Sequence, residues 1–314
     1  MANIGYIQVT RLCNQHCRFC SNPEREATIN LDSAKEQIDS LVGQEYFGVI
    51  FTGGEPTLND ILPDIIAYGK TKDIQIRMVT NGQKTADRDY FKQLVDAGID
   101  HINVSIHSCI EKVQTFLTEN PDSLKNITKT LENTAEFDIP TDVNTVINRY
   151  NANHLDKTAK WAVKNFPHVR HIVWNNIDPR MNRASKNRDT IPKMRDFEVS
   201  LYKAMKFMDS TGRTFRVERV PLCYMAEYAH CSTETRKIVK GEERITHFLD
   251  EKEYVRQTDF IHGKAECCEI CLLNDVCAGM FEMDTYYDSV ELYPVFIPKE
   301  VVIENVLRKK INNG

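Results

Sequence analysis

Short runs rich in β-branched residues alternate with amphipathic stretches over the first two thirds of the chain. This alternation predicts repeated βα units, which build a parallel sheet. Because the crossovers between parallel strands are right-handed, such units give either a doubly wound sheet or an incomplete (βα)6 barrel. In both architectures the chemistry lies at the carboxyl ends of the strands. The predicted strands are Tyr6–Thr10, Gly48–Phe51, Ile74–Thr80, His101–His107, Asp142–Ile147 and His171–Trp174.

The amphipathic segments between these strands predict helices. They are Asp32–Leu41, Asp60–Tyr68, Asp87–Ala97, Ser123–Glu136, Asn153–Asn165 and a segment near Lys193–Met208. Asp32 or Ser33 is the predicted N-cap of the first helix, because both side chains can accept a hydrogen bond from a free backbone N–H. Gly98 is expected to end the third helix in a left-handed conformation.

The alternation stops after about residue 212. An extended segment, Thr214–Val220, then leads into a cysteine-rich region, and no further βα unit is apparent. We therefore expect two domains, a core over residues 1–212 and an extension over residues 213–314. The chain ends in an expected amphipathic helix over Glu300–Lys310, with apolar residues that would pack on the body: Val301, Val302, Val306 and Leu307.

Composition excludes several classes of protein. The formal net charge of −5 gives no bulk attraction to nucleic acid or to an anionic membrane. No apolar run approaches the roughly 20 residues that span a bilayer, and no signal peptide is expected at the N-terminus. The ten cysteines therefore suit metal ligation in a cytoplasmic protein better than a secreted disulfide framework.

Three of these cysteines, Cys13, Cys17 and Cys20, lie within eight residues directly after the first predicted strand. Three thiolates on one loop can hold three corners of an iron–sulfur cubane. A structural zinc or an ordinary ferredoxin cluster would need a fourth ligand nearby, and the only candidate, His16, lies awkwardly between two ligands. The missing ligand would leave one iron open to a substrate.

The spacing C-x3-C-x2-C after a first strand, with Phe19 before the third cysteine, resembles the signature of the radical S-adenosylmethionine (SAM) superfamily. The resemblance implies a 4Fe–4S cluster whose open iron binds the amino and carboxylate groups of SAM. Electron transfer into the sulfonium would release methionine and a 5′-deoxyadenosyl radical that abstracts hydrogen. In this family Phe19 would lie beside the adenine.

Further motifs at the ends of later strands resemble the same family. Gly53-Gly54-Glu55-Pro56 after the second strand is similar to the motif that meets the SAM amino group, and Glu55 can accept hydrogen bonds from an ammonium. Asn81 after the third strand, Ser105 on the fourth and Asn144 on the fifth also fit. The resemblance covers roughly residues 4–180.

A second group, Cys268-x2-Cys271-x5-Cys277-x-Gly279, resembles the Twitch and SPASM extensions of radical SAM enzymes, which carry auxiliary 4Fe–4S clusters. One auxiliary cluster is expected, because no cysteine follows Cys277. Cys223 is the first choice for its fourth ligand, Cys231 the second, and Cys267 is treated as a spare. A zinc ribbon is the alternative, since C-x2-C is common to both.

The Pro-Leu-Cys segment at residues 221–223 followed by the later cysteine motif and Met280-Phe281 resembles the maturases of His-Xaa-Ser peptide systems. We therefore expect modification of a peptide side chain by cross-linking, oxidation or epimerisation, with a reductant such as flavodoxin or ferredoxin as partner. The alternatives are radical oxidation or rearrangement of a small metabolite, and a non-catalytic metal protein that binds a partner. No general base can be assigned: His107, Asn175 and Arg219 are candidates, but a satisfied polar residue in the barrel is the better explanation of each.

Overall fold

The computed structural model describes residues 4–22 and 26–308. Its strands form one sheet in the order β7-β6-β5-β4-β3-β2-β1-β8-β9. Their bounds are β1 (Ile4–Thr10), β2 (Gly48–Gly53), β3 (Gln75–Thr80), β4 (His101–Ser105), β5 (Thr141–Ile147), β6 (His171–Asn176), β7 (Thr214–Glu218), β8 (Arg244–His247) and β9 (Tyr254–Gln257).

Neighbouring strands from β7 to β8 run parallel, and only β9 is antiparallel to its neighbour. The six predicted strands are confirmed as neighbours in sequence order, and so is the expected α/β partial barrel. The sheet is not closed, because β7 and β9 are its two edges within the described residues.

Helices connect the strands and cover the sheet. Their bounds are α1 (Leu31–Gly43), α2 (Leu62–Lys70), α3 (Arg88–Ala97), α4 (Glu111–Thr118), α5 (Ser123–Glu136), α6 (Leu155–Asn165), α7 (Asn182–Lys186), α8 (Met194–Ser210), α9 (Thr233–Lys240) and α10 (Lys299–Leu307). Of these, α4, α7 and α9 were not predicted from the sequence.

Two local details concern the helix ends. Asn30, and neither Asp32 nor Ser33, caps α1, since its side chain accepts from Ser33 N at 2.9 Å. Gly98 ends α3 in a left-handed conformation with φ of 100°, as predicted.

The sequence predicted no βα unit after residue 212, and this was wrong. After β7, α9 leads to β8, which pairs in parallel with β1 at the far side of the sheet. The part of the chain after residue 212 thus contributes three strands to the common sheet, and the division into domains at that point stays a prediction.

The C-terminal helix α10 packs on the body through Val302 and Val306, whereas Val301 and Leu307 are exposed. The last two residues of the predicted helix, 309 and 310, lie outside the described residues. No helix in residues 4–22 and 26–308 has both the length and the apolar composition needed to cross a membrane.

Alternation along the strands separates an apolar layer from a polar interior. Outward side chains such as Ile76, Met78 and Ile102 are fully buried against the helices. Inward side chains of the same strands, Arg77 and Asn103 among them, line a cavity inside the barrel. Barrel interiors are commonly filled by branched apolar side chains, whereas this interior has a cavity lined mostly by polar side chains.

Candidate cofactor site

A cavity of about 230 Å³, here called the cofactor cavity, lies at the carboxyl ends of β1 to β6. Its lining includes all three cysteines of the first group and seven of the eight predicted cofactor residues, namely Phe19, Gly53, Gly54, Glu55, Asn81, Ser105 and Asn144. Pro56 is not part of the lining; it begins a buried 3₁₀ turn, Pro56–Leu58, behind Glu55. The sequence motifs thus converge in space as the parallel topology requires.

The double glycine brings the cysteine loop against the end of β2. Gly54 N donates to Thr10 O at 2.7 Å, and Glu55 N donates to Leu12 O at 2.7 Å. A Cβ at Gly54 would lie 2.1 Å from Leu12 O, and Gly53 has φ of 138°. The close approach that requires glycine is therefore to the backbone of the cysteine loop itself.

The loop that carries the three cysteines is tied down from α7. Arg183 Nε donates to Cys17 O at 2.9 Å, and Ala184 N donates to Cys20 O at 3.1 Å. Cys20 N also donates to Cys17 O at 3.0 Å, which closes a tight turn between two of the cysteines. These bonds fix the loop backbone, so the thiols point together into one cavity.

Burial disfavours the thiolate form of two of the three cysteines, Cys13 and Cys17. Burial, followed by the neighbouring Cys20 and Cys13 thiols, holds the pKa of Cys17 well above its usual range. Burial also raises the pKa of Cys13 to about 11. Thiolates here would repel one another unless a metal compensates their charge, and ligand thiols are deprotonated on metal binding.

Among the described residues, no three His, Cys, Asp or Glu side chains are arranged to hold a single metal ion. A cubane spreads its thiolate ligands over separate iron corners, so three converging thiols of one loop fit a cluster better than a lone ion. His16 is exposed and is not among the residues that line the cavity. A cubane held by these three sulfurs alone would have one corner open.

Glu55 is almost fully buried at the edge of the cavity. Its Oε1 accepts from Thr57 Oγ1 at 2.8 Å and from Thr80 Oγ1 at 2.7 Å, and its Oε2 accepts from Asn81 N at 2.6 Å. Burial raises the pKa of Glu55, and these hydrogen bonds act against that rise. Since Oε2 accepts one hydrogen bond from the described residues, it can accept another from the ammonium group of a ligand.

The aromatic wall of the cavity is formed by Phe19 and His107, whose rings meet edge to face at 4.5 Å. His107 Nδ1 accepts from Val146 N at 3.2 Å, which assigns the proton of the neutral ring to Nε2. Burial lowers the pKa of His107 to about 3, so the ring is neutral at ordinary pH. The wall is thus an uncharged surface that suits a flat heterocycle.

The structure adds lining residues that the motifs did not single out, among them Gln15, Asn22, Thr52 and Asp178. Arg219, considered as a candidate from the sequence, also lines the cofactor cavity, as does His107, whereas Asn175 lines a neighbouring cavity. Asp178 follows β6 and belongs to none of the sequence motifs. Its only sequence signal was its position after a strand, which many other polar residues share.

The second group of cysteines also comes together. Burial, and then the neighbouring Cys277 and Cys268 thiols, raise the pKa of Cys223 to about 12, which places these three near one another. Cys271 lies within electrostatic reach of Cys277. By contrast, Cys231 lies beside Arg216 in a cavity at the amino end of β7.

Backbone N–H groups point at two sulfurs of the second group. Gly279 N donates to Cys277 Sγ at 3.3 Å, and Val295 N donates to Cys271 Sγ at 3.3 Å. Such bonds are among the features that tune cluster ligands in iron–sulfur sites. The loop is held by Lys264 Nζ, which donates to Cys277 O at 2.7 Å and to Asn274 O at 2.9 Å.

Comparison with known proteins agrees with this geometry. Residues 7–162 match the model of the radical SAM superfamily. A probable GTP 3′,8-cyclase of Thermococcus kodakarensis is 29% identical over 163 residues, which are 50% of this chain and 52% of the relative. A PqqA peptide cyclase of Bradyrhizobium diazoefficiens is 25% identical over 161 residues, 50% of this chain and 42% of that protein.

Among solved structures, anSMEcpe with bound AdoMet and the Cp18Cys peptide has a TM-score of 0.65 at 15% identity, covering 98% of this chain and 96% of that one. At this identity the likeness establishes the fold alone. The chain spans about half the length of the curated relatives named above. Its fold, its matched residues 7–162 and its cysteine loop agree: the chain contains a radical SAM domain and belongs to the radical SAM superfamily.

Proposed function

We propose that Cys13, Cys17 and Cys20 hold a 4Fe–4S cluster and that the chain uses it to cleave SAM reductively. When bound, this cluster would supply the electron that splits SAM into methionine and a 5′-deoxyadenosyl radical. The observation that carries the proposal is the convergence of three thiols from one loop on a cavity that also holds Glu55. The chain's own part is to bind SAM, orient it and keep water away.

Each SAM contact is assigned to a side chain that can still make a hydrogen bond or an aromatic contact. Glu55 Oε2 would accept from the amino group, and the Phe19–His107 wall would lie along the adenine. Asn81, Ser105 and Asn144 line the same cavity and would hydrogen-bond the carboxylate and ribose. The neutral state of His107 keeps a positive charge away from the sulfonium.

The experiment is anaerobic reconstitution with iron and sulfide, followed by dithionite and SAM, with 5′-deoxyadenosine as the readout. Cys17→Ala should abolish its formation. Cys109→Ala is the matched control, because Cys109 does not line the cofactor cavity and its backbone N bonds Thr158 Oγ1 at 3.3 Å. If the reconstituted wild type formed no 5′-deoxyadenosine, both enzyme hypotheses would be contradicted. The hypothesis of a non-catalytic metal protein that binds a partner would then remain.

We further propose that Cys223, Cys268, Cys271 and Cys277 hold one auxiliary 4Fe–4S cluster. The mutual proximity of these thiols and the two N–H···S contacts support it. Cys268→Ala or Cys271→Ala should spare uncoupled SAM cleavage and lose the product. Metal analysis separates this from the zinc alternative, since zinc in place of iron at these residues would contradict the cluster.

The proposed substrate is a peptide side chain, and a reductant such as flavodoxin or ferredoxin would deliver the electrons. The likeness to a PqqA peptide cyclase and the fold shared with a peptide-bound structure support the peptide. A small polar metabolite is the second candidate, favoured by the polar barrel interior and by the similarity to a GTP 3′,8-cyclase. Incubation with candidate precursor peptides and mass spectrometry of the products would separate the two.

A further inference from the structure

A cavity of about 440 Å³, here called the β7 cavity, lies at the amino end of β7. Thr214 and Arg216 on β7, Tyr228, and residues of α9 and of the end of α10 form its walls. The cofactor cavity lies at the opposite, carboxyl ends of the strands, and within the described part of the chain the two cavities share no lining residue. The β7 cavity is therefore separate from the proposed SAM site.

The lining of the β7 cavity carries an excess of positive charge. Among the described residues its cations outnumber its one carboxylate, Asp209; the cations are Arg213, Arg216, Arg236, Lys240 and Arg308. Lys240 Nζ lies 3.5 Å from Glu242 Oε1, and Arg308 Nη2 lies 3.8 Å from Glu304 Oε2. Asp209 is exposed and forms no ion pair with the described residues. The charges of the remaining three arginines are therefore left without an acidic partner.

Arg216 and Arg236 also have donors to spare. Toward residues 4–22 and 26–308, Arg216 uses only Nη1, which donates to Phe215 O at 2.8 Å, and the Arg236 side chain makes no hydrogen bond. By contrast, Arg213 gives Nε and Nη2 to Val169 O and Pro167 O, at 3.0 and 3.1 Å, and so has a structural role.

The two guanidiniums of Arg216 and Arg236 lie within electrostatic reach of each other. Burial, followed by the charge of Arg236, lowers the pKa of Arg216 to about 10, and the nearby Cys231 and Glu242 oppose this shift without cancelling it. The Arg216 guanidinium is therefore still charged at neutral pH. Two like charges that face one cavity repel each other, and an anion that accepts hydrogen bonds from both relieves the repulsion.

We propose that the β7 cavity binds a phosphate group through Arg216 and Arg236. A phosphate offers several acceptor oxygens to which two planar guanidinium forks can donate at once. The volume of the cavity is in the range of small-molecule sites, so it leaves room beside the phosphate for an organic group such as a sugar or a nucleoside. Tyr228, whose ring meets that of Phe215 at 5.4 Å, provides an aromatic wall for that group. The proposal goes beyond the proposed function, because this site lies apart from the thiols and from SAM.

The test is calorimetric binding to the reconstituted, SAM-loaded protein in phosphate-free buffer without reductant. The probes are inorganic phosphate, ribose 5-phosphate and AMP, with adenosine and succinate as counterparts that lack the phosphate. A phosphate probe should bind about tenfold more tightly than either counterpart, because only phosphate accepts charge-assisted hydrogen bonds from both guanidiniums. Arg216→Gln and Arg236→Gln should each weaken phosphate binding about tenfold, and Arg216→Lys should weaken it less. Arg236→Gln removes no hydrogen bond to the described residues, so this variant is expected to fold.

Arg170→Gln is the matched control, since Arg170 is an exposed arginine just before β6, at the same end of the sheet and outside the cavity lining. Tighter binding of AMP or ribose 5-phosphate than of inorganic phosphate identifies an organic phosphate as the ligand, and equal binding identifies free phosphate; both support the site. The proposal is overturned if none of the phosphates binds, if succinate binds as tightly as they do, or if phosphate binding is unchanged in Arg236→Gln.

Discussion

Glu218 on β7 accepts a hydrogen bond of 2.9 Å from Arg244 Nη1 on β8, across the gap at which the parallel strands fail to close. No backbone ladder joins these two strands within the described residues. A side-chain pair thus spans the place where a closed barrel would have main-chain hydrogen bonds. The pair also lines a cavity of about 370 Å³ inside the barrel.

Glu218→Gln should lower the free energy of unfolding by about 3 kcal/mol, because it leaves Arg244 without its counter-ion in a largely buried position. Equilibrium denaturation in urea measures the change. Glu136→Gln is the control, since the Arg88–Glu136 pair is exposed and contributes little. If both substitutions lowered the free energy of unfolding by the same amount, the Glu218–Arg244 pair would contribute no more to stability than an exposed ion pair.

The Glu218–Arg244 pair predicts that the free energy of unfolding depends on pH. Burial raises the pKa of Glu218, but the Arg244 and Arg219 guanidiniums outweigh it and hold the pKa well below its ordinary value of 4.5. The stabilisation is therefore complete above that ordinary value and is lost as the pH falls towards the folded-state pKa. The difference between wild type and Glu218→Gln should shrink in acid, and a constant difference would contradict the assignment.

Gly54→Ala should disrupt the first cysteine loop, since its Cβ would lie 2.1 Å from Leu12 O and 2.6 Å from Arg11 O. We expect a loss of about 2–4 kcal/mol in stability and a lower iron content at the first site. Gly43→Ala is the control, because a Cβ there meets nothing within 4 Å. Wild-type iron content in Gly54→Ala would mean that the loop tolerates displacement from β2.

The cofactor cavity could be anticipated because its residues belong to short contiguous motifs that each follow a strand. Parallel topology then brings such motifs together without any knowledge of side-chain packing. That is why the cysteine loop, Glu55 and Asn81 were found from the sequence. Whether they bind the predicted cofactors stays a prediction, which the experiments above address.

The missed features depend on long-range contacts. β8 has only four residues, and its partner β1 is more than 200 residues away. No local sequence pattern therefore predicts the pairing of these two strands. Asn30 was missed as a cap because Asp32 and Ser33, two good cap residues, follow it closely.

Cys223→Ser and Cys231→Ser should separate the two candidates for the fourth auxiliary ligand. Cys223 lies near Cys277 and Cys268, whereas Cys231 lies beside Arg216 at the amino end of β7. We therefore expect iron loss and a changed auxiliary-cluster spectrum in Cys223→Ser only. The Cys13/Cys17/Cys20 triple alanine background isolates that signal. Iron loss confined to Cys231→Ser would exchange the two roles.

His107 should make the wild type less stable in acid than its glutamine variant. Burial lowers the folded-state pKa of His107 to about 3 from its ordinary 6.5. Between these values the unfolded chain binds the proton that the folded chain excludes, so the free energy of unfolding falls as the pH drops. Across that range the wild type should lose roughly a few kcal/mol more than His107→Gln. Urea denaturation at several pH values measures both slopes, and parallel slopes would show that His107 is protonated in the folded protein. SAM affinity should stay flat from pH 6 to 8 in the wild type, because the ring that meets Phe19 is neutral throughout that range.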